Sequence, residues 1–338
     1  MSIEHNQARP RVAVIGTGGT FAMHGRHRFD WAEYAESNVV HPISQLLGEM
    51  DELGLGVELI PVTFRALGST AIEPKDWLEL AQLIRRTVDE DSSISGVVVT
   101  HGTATLEETA WFLDLTLGLR VGVVVTGAQR PANTAGSDVP GNLRGAIAVA
   151  IEPEARHAGV LVVLDNQAHS AREVTKASSF ELAAFESPGF GPLAVIDSDT
   201  RVRWRRLPAD AGDSLTFDLP DLHALPRVDI ALSYAGSDGA AVQGLRQAGA
   251  QAIVVAGLAP GRPAQGEVEA LRAAASEGVL IVMSSRAARG HVPPQAFLQR
   301  EGWLAGSDLA PAKLRILLML ALSQPHDRDV IQQWISHA

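Results

Sequence analysis

The stretch Arg11-Val-Ala-Val-Ile-Gly-Thr-Gly-Gly-Thr20 decides the architecture. Val12–Ile15 is a continuous apolar run, without alternation, and it leads straight into a glycine-rich turn. Strands of a parallel sheet covered by helices on both faces read this way. Comparable runs recur at Val57–Thr63, Gly96–Thr100, Val121–Thr126, Val160–Asp165, Val228–Tyr234, Ala252–Gly257 and Val279–Ser284. Helical spacing fills the intervals. Pro74–Glu90 carries Trp77, Leu78, Leu80, Ala81 and Ile84 on one stripe. Thr105–Leu117 has Glu107 and Glu108 in its first turn, where the helix dipole favours acids. Asn142–Ile151, Gly239–Ala248, Glu267–Glu277, Pro311–Leu322 and Asp329–Ser336 complete the series. This alternation predicts an α/β fold with right-handed crossovers.

One compositional break interrupts the alternation. Leu207–Pro226 holds Pro208, Pro220, Pro226 and several Asp, with little periodic apolar pattern. It reads as a linker, 207–226, between a larger N-terminal domain, 1–206, and a smaller α/β domain, 227–338. The 338 residues are enough for two domains with their own cores. Twenty-eight Lys+Arg against 39 Asp+Glu leave a net charge of −11, which argues against nucleic-acid or anionic-membrane partners. The absence of cysteine excludes a disulfide scaffold, a zinc–thiolate or iron–sulfur site and a cysteine nucleophile. The polar first ten residues do not read as a signal peptide, and no apolar run reaches the ~18 residues of a membrane span. A cytoplasmic enzyme is expected. The basic run Arg201–Arg206 reads as an exposed strand with charged edges.

Ligands of parallel sheets collect at the carboxyl ends of the strands. Four polar segments fall there: Gly16–Thr20, Gly68-Ser-Thr70, Thr100-His-Gly-Thr-Ala-Thr105 and the loop from Asp165 to Lys176. The first is not a dinucleotide fingerprint, because Phe21 stands where the third glycine belongs and no acid closes the next strand. No P-loop and no G-x-S-x-G elbow is present. His24 and His27 lack a nearby carboxylate pair and read as loop histidines. No cofactor and no metal is therefore expected. What remains is hydroxyls, glycines and a lysine. A threonine hydroxyl attacks only when a base takes its proton, and a desolvated Lys176 could be that base. Thr20 sits in a turn whose backbone N–H groups can face an oxyanion. Thr103 could relay a proton or attack; equally, Thr20 and Thr103 could only cap the following helices.

These residues carry a resemblance. Gly16-Thr-Gly-Gly-Thr-Phe-Ala22 and Thr100-His-Gly-Thr-Ala-Thr-Leu-Glu-Glu-Thr109 resemble the two threonine motifs of the bacterial-type L-asparaginases and glutaminase-asparaginases. Gly68-Ser69 looks like their substrate-carboxylate loop and Arg172-Glu-Val-Thr-Lys176 like their lysine segment. Gly127–Pro131, Ser137–Leu143, Ser284-Ser-Arg286 and Pro311–Arg315 match further family segments in order. The resemblance implies a two-domain asparaginase-like fold, a mostly parallel larger sheet with flanking helices, and a small α/β C-terminal domain. It implies a homotetramer built as a dimer of intimate dimers, and hydrolysis of a side-chain amide of a small molecule through an acyl-enzyme. By motif, Thr20 is the nucleophile, Thr103 and Lys176 the second catalytic group, and Tyr34 a partner of Thr20. Gly19, Gly68, Ser69, Thr70, Gly102 and position 104 would line the substrate.

The departures share a direction. The family's Thr-Asp-Thr is Thr103-Ala104-Thr105 here, so the acid that holds the substrate's α-ammonium is missing. Gly-Ser-Gln is shortened to Gly68-Ser69-Thr70. The glutamate that a neighbouring subunit adds in type II enzymes falls near Phe297, with no Glu before Glu301, and the small-domain asparagine is replaced within Ala256–Gly261. An ammonium stripped of its buried partner loses on the order of 3–5 kcal/mol. Free asparagine and glutamine are therefore expected to be poor substrates, and an amide, ester or lactone beside a carboxylate but without a free α-amine a better one. Loss of the acid should also lower the pKa of Lys176. The alternatives are a genuine asparaginase or glutaminase with a replacement acid, or a non-catalytic relative.

Overall fold

The computed structural model describes residues 9–50, 53–207, 215–218, 225–325 and 327–338. The polar residues 1–8, and most of the stretch read as a linker (208–214 and 219–224), lie outside the described residues. The chain forms two compact units, Met1–Gly212 and Asp213–Ala338.

The first unit contains β1 (Arg11–Gly18), α1 (Ile43–Glu49), β2 (Glu58–Leu67), α2 (Pro74–Glu90), β3 (Ile94–Thr100), α3 (Leu106–Asp114), β4 (Gly122–Thr126), α4 (Val139–Ala150) and β5 (Val160–Leu164). The short strands β6 (Gln167–Ser170), β7 (Thr175–Lys176), β8 (Phe185–Glu186), β9 (Ala194–Ile196) and β10 (Val202–Trp204) follow. The main sheet runs β10-β9-β6-β5-β4-β3-β1-β2. The five strands from β2 to β5 are parallel, and β6, β9 and β10 extend the sheet antiparallel. Every residue of β4 and β5 is buried, as continuous apolar runs require. Edge strand β2 alternates in burial and tolerates Pro61, which has no N–H to give a second neighbour. β10 is the charged edge strand expected within Arg201–Arg206.

Helix ends follow local chemistry. α2 starts at Pro74 behind a capping box formed by Glu73 and Asp76, and buries Trp77, Leu78, Leu80, Ala81 and Ile84. α4 starts three residues before the predicted Asn142, because Pro140 is tolerated in a first turn. One core cluster gathers Val12, Val14, Phe21, Val98, Val124, Leu143, Ile147 and Leu161.

The second unit is a four-stranded parallel sheet, β11-β12-β13-β14, from β11 (Val228–Leu232), β12 (Ala252–Gly257), β13 (Leu280–Ser285) and β14 (Leu304–Ala305). Its helices are α5 (Ala240–Gln247), α6 (Val268–Ser276), α7 (Ala296–Glu301), α8 (Pro311–Ala321) and α9 (Arg328–His337). Its own core holds Val242, Ile253, Val255, Leu271, Ile281, Met283 and Trp303. No helix among the described residues is long and apolar enough to cross a membrane.

The order β2-β1-β3-β4-β5 fixes where a ligand belongs. Connections leave β1 toward β2 on one side and β3 toward β4 on the other. The crevice between β1 and β3 is therefore a topological switch point, and ligands bind outside the carboxyl ends of such strands. In register, Gly16 of β1 is level with Thr100 of β3, and Thr100 with Thr126 of β4.

Candidate active site

Hydroxyls knit the rim of that crevice. Thr17 Oγ1 donates to the Thr100 carbonyl at 2.9 Å, Thr126 Oγ1 to the Val163 carbonyl at 2.6 Å, and the His101 N–H to the Thr126 carbonyl at 2.8 Å. Three loops then meet closely at two glycines. Gly19 has a φ of +71°, and a Cβ on it would lie 2.3 Å from Gly102 Cα. A Cβ on Gly102 would lie 2.4 Å from Ser69 Cβ. Only glycine permits such approaches. The turn after β1 thus meets the turn after β3 main chain to main chain, and the turn after β3 rests against the Ser69 side chain and Cα. Thr105 is the residue before α3, but its hydroxyl reaches the Ser69 carbonyl at 2.7 Å instead of capping the helix. Gly68 closes a turn by accepting from the Ala71 N–H at 2.9 Å.

Two hydroxyl pairs stand on this stack. Thr20 is 7% exposed, and its Oγ1 lies 2.6 Å from Tyr34 Oη. Thr103 is 5% exposed, and Lys176 Nζ lies 2.7 Å from its Oγ1. Neither threonine hydroxyl caps a helix. The Gly19 N–H is committed to the Leu67 carbonyl at 3.1 Å, so this one N–H of the turn does not face an oxyanion. Lys176 lies on β7, paired with β8 at Phe185. Its half-burial pushes the amine below its ordinary value, while the nearby Glu107 carboxylate pulls the other way. The direction agrees with the expectation from the lost acid, but burial is the larger cause. Glu107 Oε2 accepts the Lys176 main-chain N–H at 2.6 Å. Ser69 is partly buried against Gly102, whereas Thr70 and Ala104 are exposed on the rim.

Tyr34 arrives on the loop after β1, in a short 3₁₀ turn, Tyr34–Ser37. The loop is closed at its base by a bridge between Met23 and Val40, and His24 Nδ1 meets His41 Nε2 at 3.1 Å. Asp30, 4% exposed, accepts from the main chain of Arg26 and Glu33 and from Arg26 Nε. Asn133 is bonded twice to the Gly25 backbone, at 2.8 and 2.7 Å, and the Arg130 guanidinium lies over the Trp31 ring at 4.1 Å.

Several residues of the site carried no legible signal. His101 sits behind the second turn. Its Nδ1–H donates to the Gly102 carbonyl at 2.8 Å, leaving Nε2 to accept from Thr109 Oγ1 at 2.9 Å; Thr109 in turn accepts from Trp77 Nε1 at 2.9 Å. The chain of donors fixes a neutral imidazole. Burial pushes His101 down to about 4, and burial together with Arg206 does the same to His169. An unfolded chain binds both protons as pH falls through about 6.5, and the folded chain does not, so stability rises with pH over this window and is lost as pH falls from 6.5 toward 4. Each imidazole is expected to remove on the order of 2 kcal/mol between pH 6.5 and 5. Melting temperatures across that range, with imidazole NMR titrations, check this; a histidine spectrum protonated at pH 6 in the folded protein contradicts it.

Glu301, the first acid after Phe297, is held by Arg272 through two bonds of 2.7 Å, which lower its pKa. Phe297 is buried under Arg262, whose guanidinium lies 4.0 Å from the ring centroid. Within this chain, neither position presents an uncommitted carboxylate.

Residues 11–208 match the family model "Asparaginase, N-terminal", and residues 227–335 match "Glutaminase/Asparaginase C-terminal domain". The chain is 34% identical to the L-asparaginase 2 of Escherichia coli K12, over 96% of this chain and 92% of that one. It is 34% identical to the glutaminase-asparaginase of Pseudomonas fluorescens biotype A, over 98% and 91%. Among solved structures, "Probable Cytoplasmic L-asparaginase from Campylobacter jejuni" superposes with a TM-score of 0.91 at 33% identity, covering 98% of this chain and 100% of that one.

Proposed function

The chain belongs to the asparaginase family, in both its N-terminal and its C-terminal domain, and from that premise we propose an amidohydrolase whose nucleophile is Thr20. It is a hydrolase of C–N amide bonds. Thr20 Oγ1 bonds to the amide carbon while its proton passes through Thr103 to neutral Lys176; the C–N bond breaks, and the lysine gives that proton to the departing ammonia. Water then attacks the ester, losing a proton by the same route; the ester C–O bond breaks, the acid leaves, and Lys176 returns the proton to Thr20 Oγ1. Tyr34 holds the Thr20 hydroxyl. Ser69 receives the substrate carboxylate, beside Gly19, Gly68, Thr70 and Gly102. The observation that carries this reading is the 2.7 Å contact of Lys176 Nζ with Thr103 Oγ1, at a lysine whose burial favours the neutral amine.

The same contact favours a second reading, in which Thr103 attacks. It is the hydroxyl that faces a base, whereas Thr20 faces a phenol.

The specificity is proposed to be shifted toward a small amide beside a carboxylate and without a free α-amine. Ala104 leaves the rim without an acid, and Glu301 is committed to Arg272. Ammonia release from L-asparagine, L-glutamine, succinamate, glutaramate and N-acetyl-asparagine tests this. The amine-free and amine-blocked amides are expected to exceed asparagine. Ala104→Asp is expected to raise kcat/KM for asparagine at least about tenfold, a modest share of a restored ion pair. Fast turnover of asparagine by the unaltered protein would return it to the ordinary asparaginases.

A homotetramer is proposed as well. Ile230 and Leu232 on edge strand β11, and Tyr234 just beyond it, expose large apolar side chains, which supports association through the second unit. A cytoplasmic location is proposed with the Campylobacter jejuni relative as its support.

A further inference from the structure

Lys176 has a second partner outside the two threonine motifs and the lysine segment. Gln129 Oε1 lies 3.4 Å from its Nζ. Gln129 is 8% exposed, and its backbone is fixed: its N–H and that of Arg130 both donate to the Asp138 carboxylate, at 2.9 Å. Asn142 clasps the same segment through the Gly127 carbonyl at 3.0 Å. The other end of the amide, Nε2, is buried with no hydrogen-bond partner among the described residues. Leaving a buried donor unpaired is unfavourable. In this orientation the amide oxygen faces an amine that has hydrogens to donate.

We propose that Gln129 is a positioning residue for Lys176: a neutral acceptor that takes one Nζ hydrogen and turns the amine's lone pair toward the Thr103 hydroxyl. A neutral amine has two hydrogens and one lone pair. With one hydrogen drawn to Gln129, the lone pair can face Thr103 at 2.7 Å. A carboxylate at the Gln129 site would orient Nζ equally well but would hold it as an ammonium, which cannot accept a proton. Half-burial and an uncharged acceptor keep it a base. The charged group whose field reaches Lys176 is Glu107 on α3, and its Oε2 meets the lysine's main-chain N–H. This rests on the reading of Lys176 as the base.

The sequence contains only three lysines, Lys75, Lys176 and Lys313. Lysine labelled with ¹³C at Cε therefore gives three resonances in the whole protein, and Lys176→Met assigns the one of interest. The other two report that a variant is folded. Gln129→Glu is expected to raise the titration midpoint of Lys176 by at least about one pH unit. It should shift the acid limb of kcat/KM upward by the same amount, using the best amide of the panel. Gln129→Met, without an acceptor, is expected to leave the midpoint unraised while lowering kcat about tenfold with little change in KM, a loss of orientation alone. A Lys176 midpoint unmoved by Gln129→Glu, in a folded variant, overturns the inference. So does full activity of Gln129→Met. Full activity of Lys176→Met would overturn instead the underlying mechanism.

Discussion

Thr20→Ala is expected to abolish ammonia release from every amide the protein hydrolyses, by at least about 10⁴-fold. The substitution deletes the oxygen that Tyr34 holds at 2.6 Å and one methyl in a site that is 7% exposed. The Gly19–Gly102 contact that shapes the turn does not involve the Thr20 side chain, so the variant should fold. Loss of activity alone does not separate the two hydroxyls, but covalent mapping does. Tryptic cleavage places Thr20 in the peptide of residues 12–26 and Thr103 in that of residues 87–120. An acid-quenched reaction should leave its acyl group on the first. An adduct on the second, with more than about 1% activity in Thr20→Ala, would make Thr103 the nucleophile.

Lys176→Met is the second large expectation, with a loss of about 10³-fold from removal of a positioned base. The pH dependence has a definite sign. As the proposed base, Lys176 works only when neutral, so kcat/KM is expected to rise with pH and level off above its pKa. Burial places that pKa below the ordinary lysine value, and so brings the plateau to lower pH. Glu107 raises it in opposition, so Glu107→Gln should move the limb to still lower pH. Lys176→Met should erase the limb. A profile with the same limb in Lys176→Met would assign it to another group.

The parallel part of the fold was legible because buried strands leave an unbroken apolar record. Val97–Val99 and Val123–Val125 need no context to be read. The antiparallel extension was legible only at β10, within the basic run; β6 and β9 have four and three residues, and only their pairing makes them strands. α1 and α7, of seven and six residues, were equally short of a period. Thr20, Thr103 and Lys176 could be named because each closes a recognisable motif. Gln129 and Glu107 could not be assigned their contacts. Gln129 stood in a segment that read as scaffold, and Glu107 in a first helical turn whose acids have a sufficient explanation in the dipole. Contacts across 47 and 69 residues of sequence, from Gln129 and Glu107 to the lysine, have no local signature.

The glycine stack has a consequence for how such a protein can change its diet. The hydroxyls and the lysine rest on a close-packed floor, the Gly19 main chain against Gly102 and Gly102 against Ser69. The positions that would recognise a substrate's head group, Ala104 and Thr70, are exposed above it. Replacing an exposed residue changes stability by roughly 0.5 kcal/mol or less, whereas anything larger than hydrogen on either glycine collides with its neighbour. Variation is therefore channelled. On the proposed reading, the fold can exchange one small substrate for another at the rim, nearly free of structural penalty, while the groups proposed to break the bond keep their places.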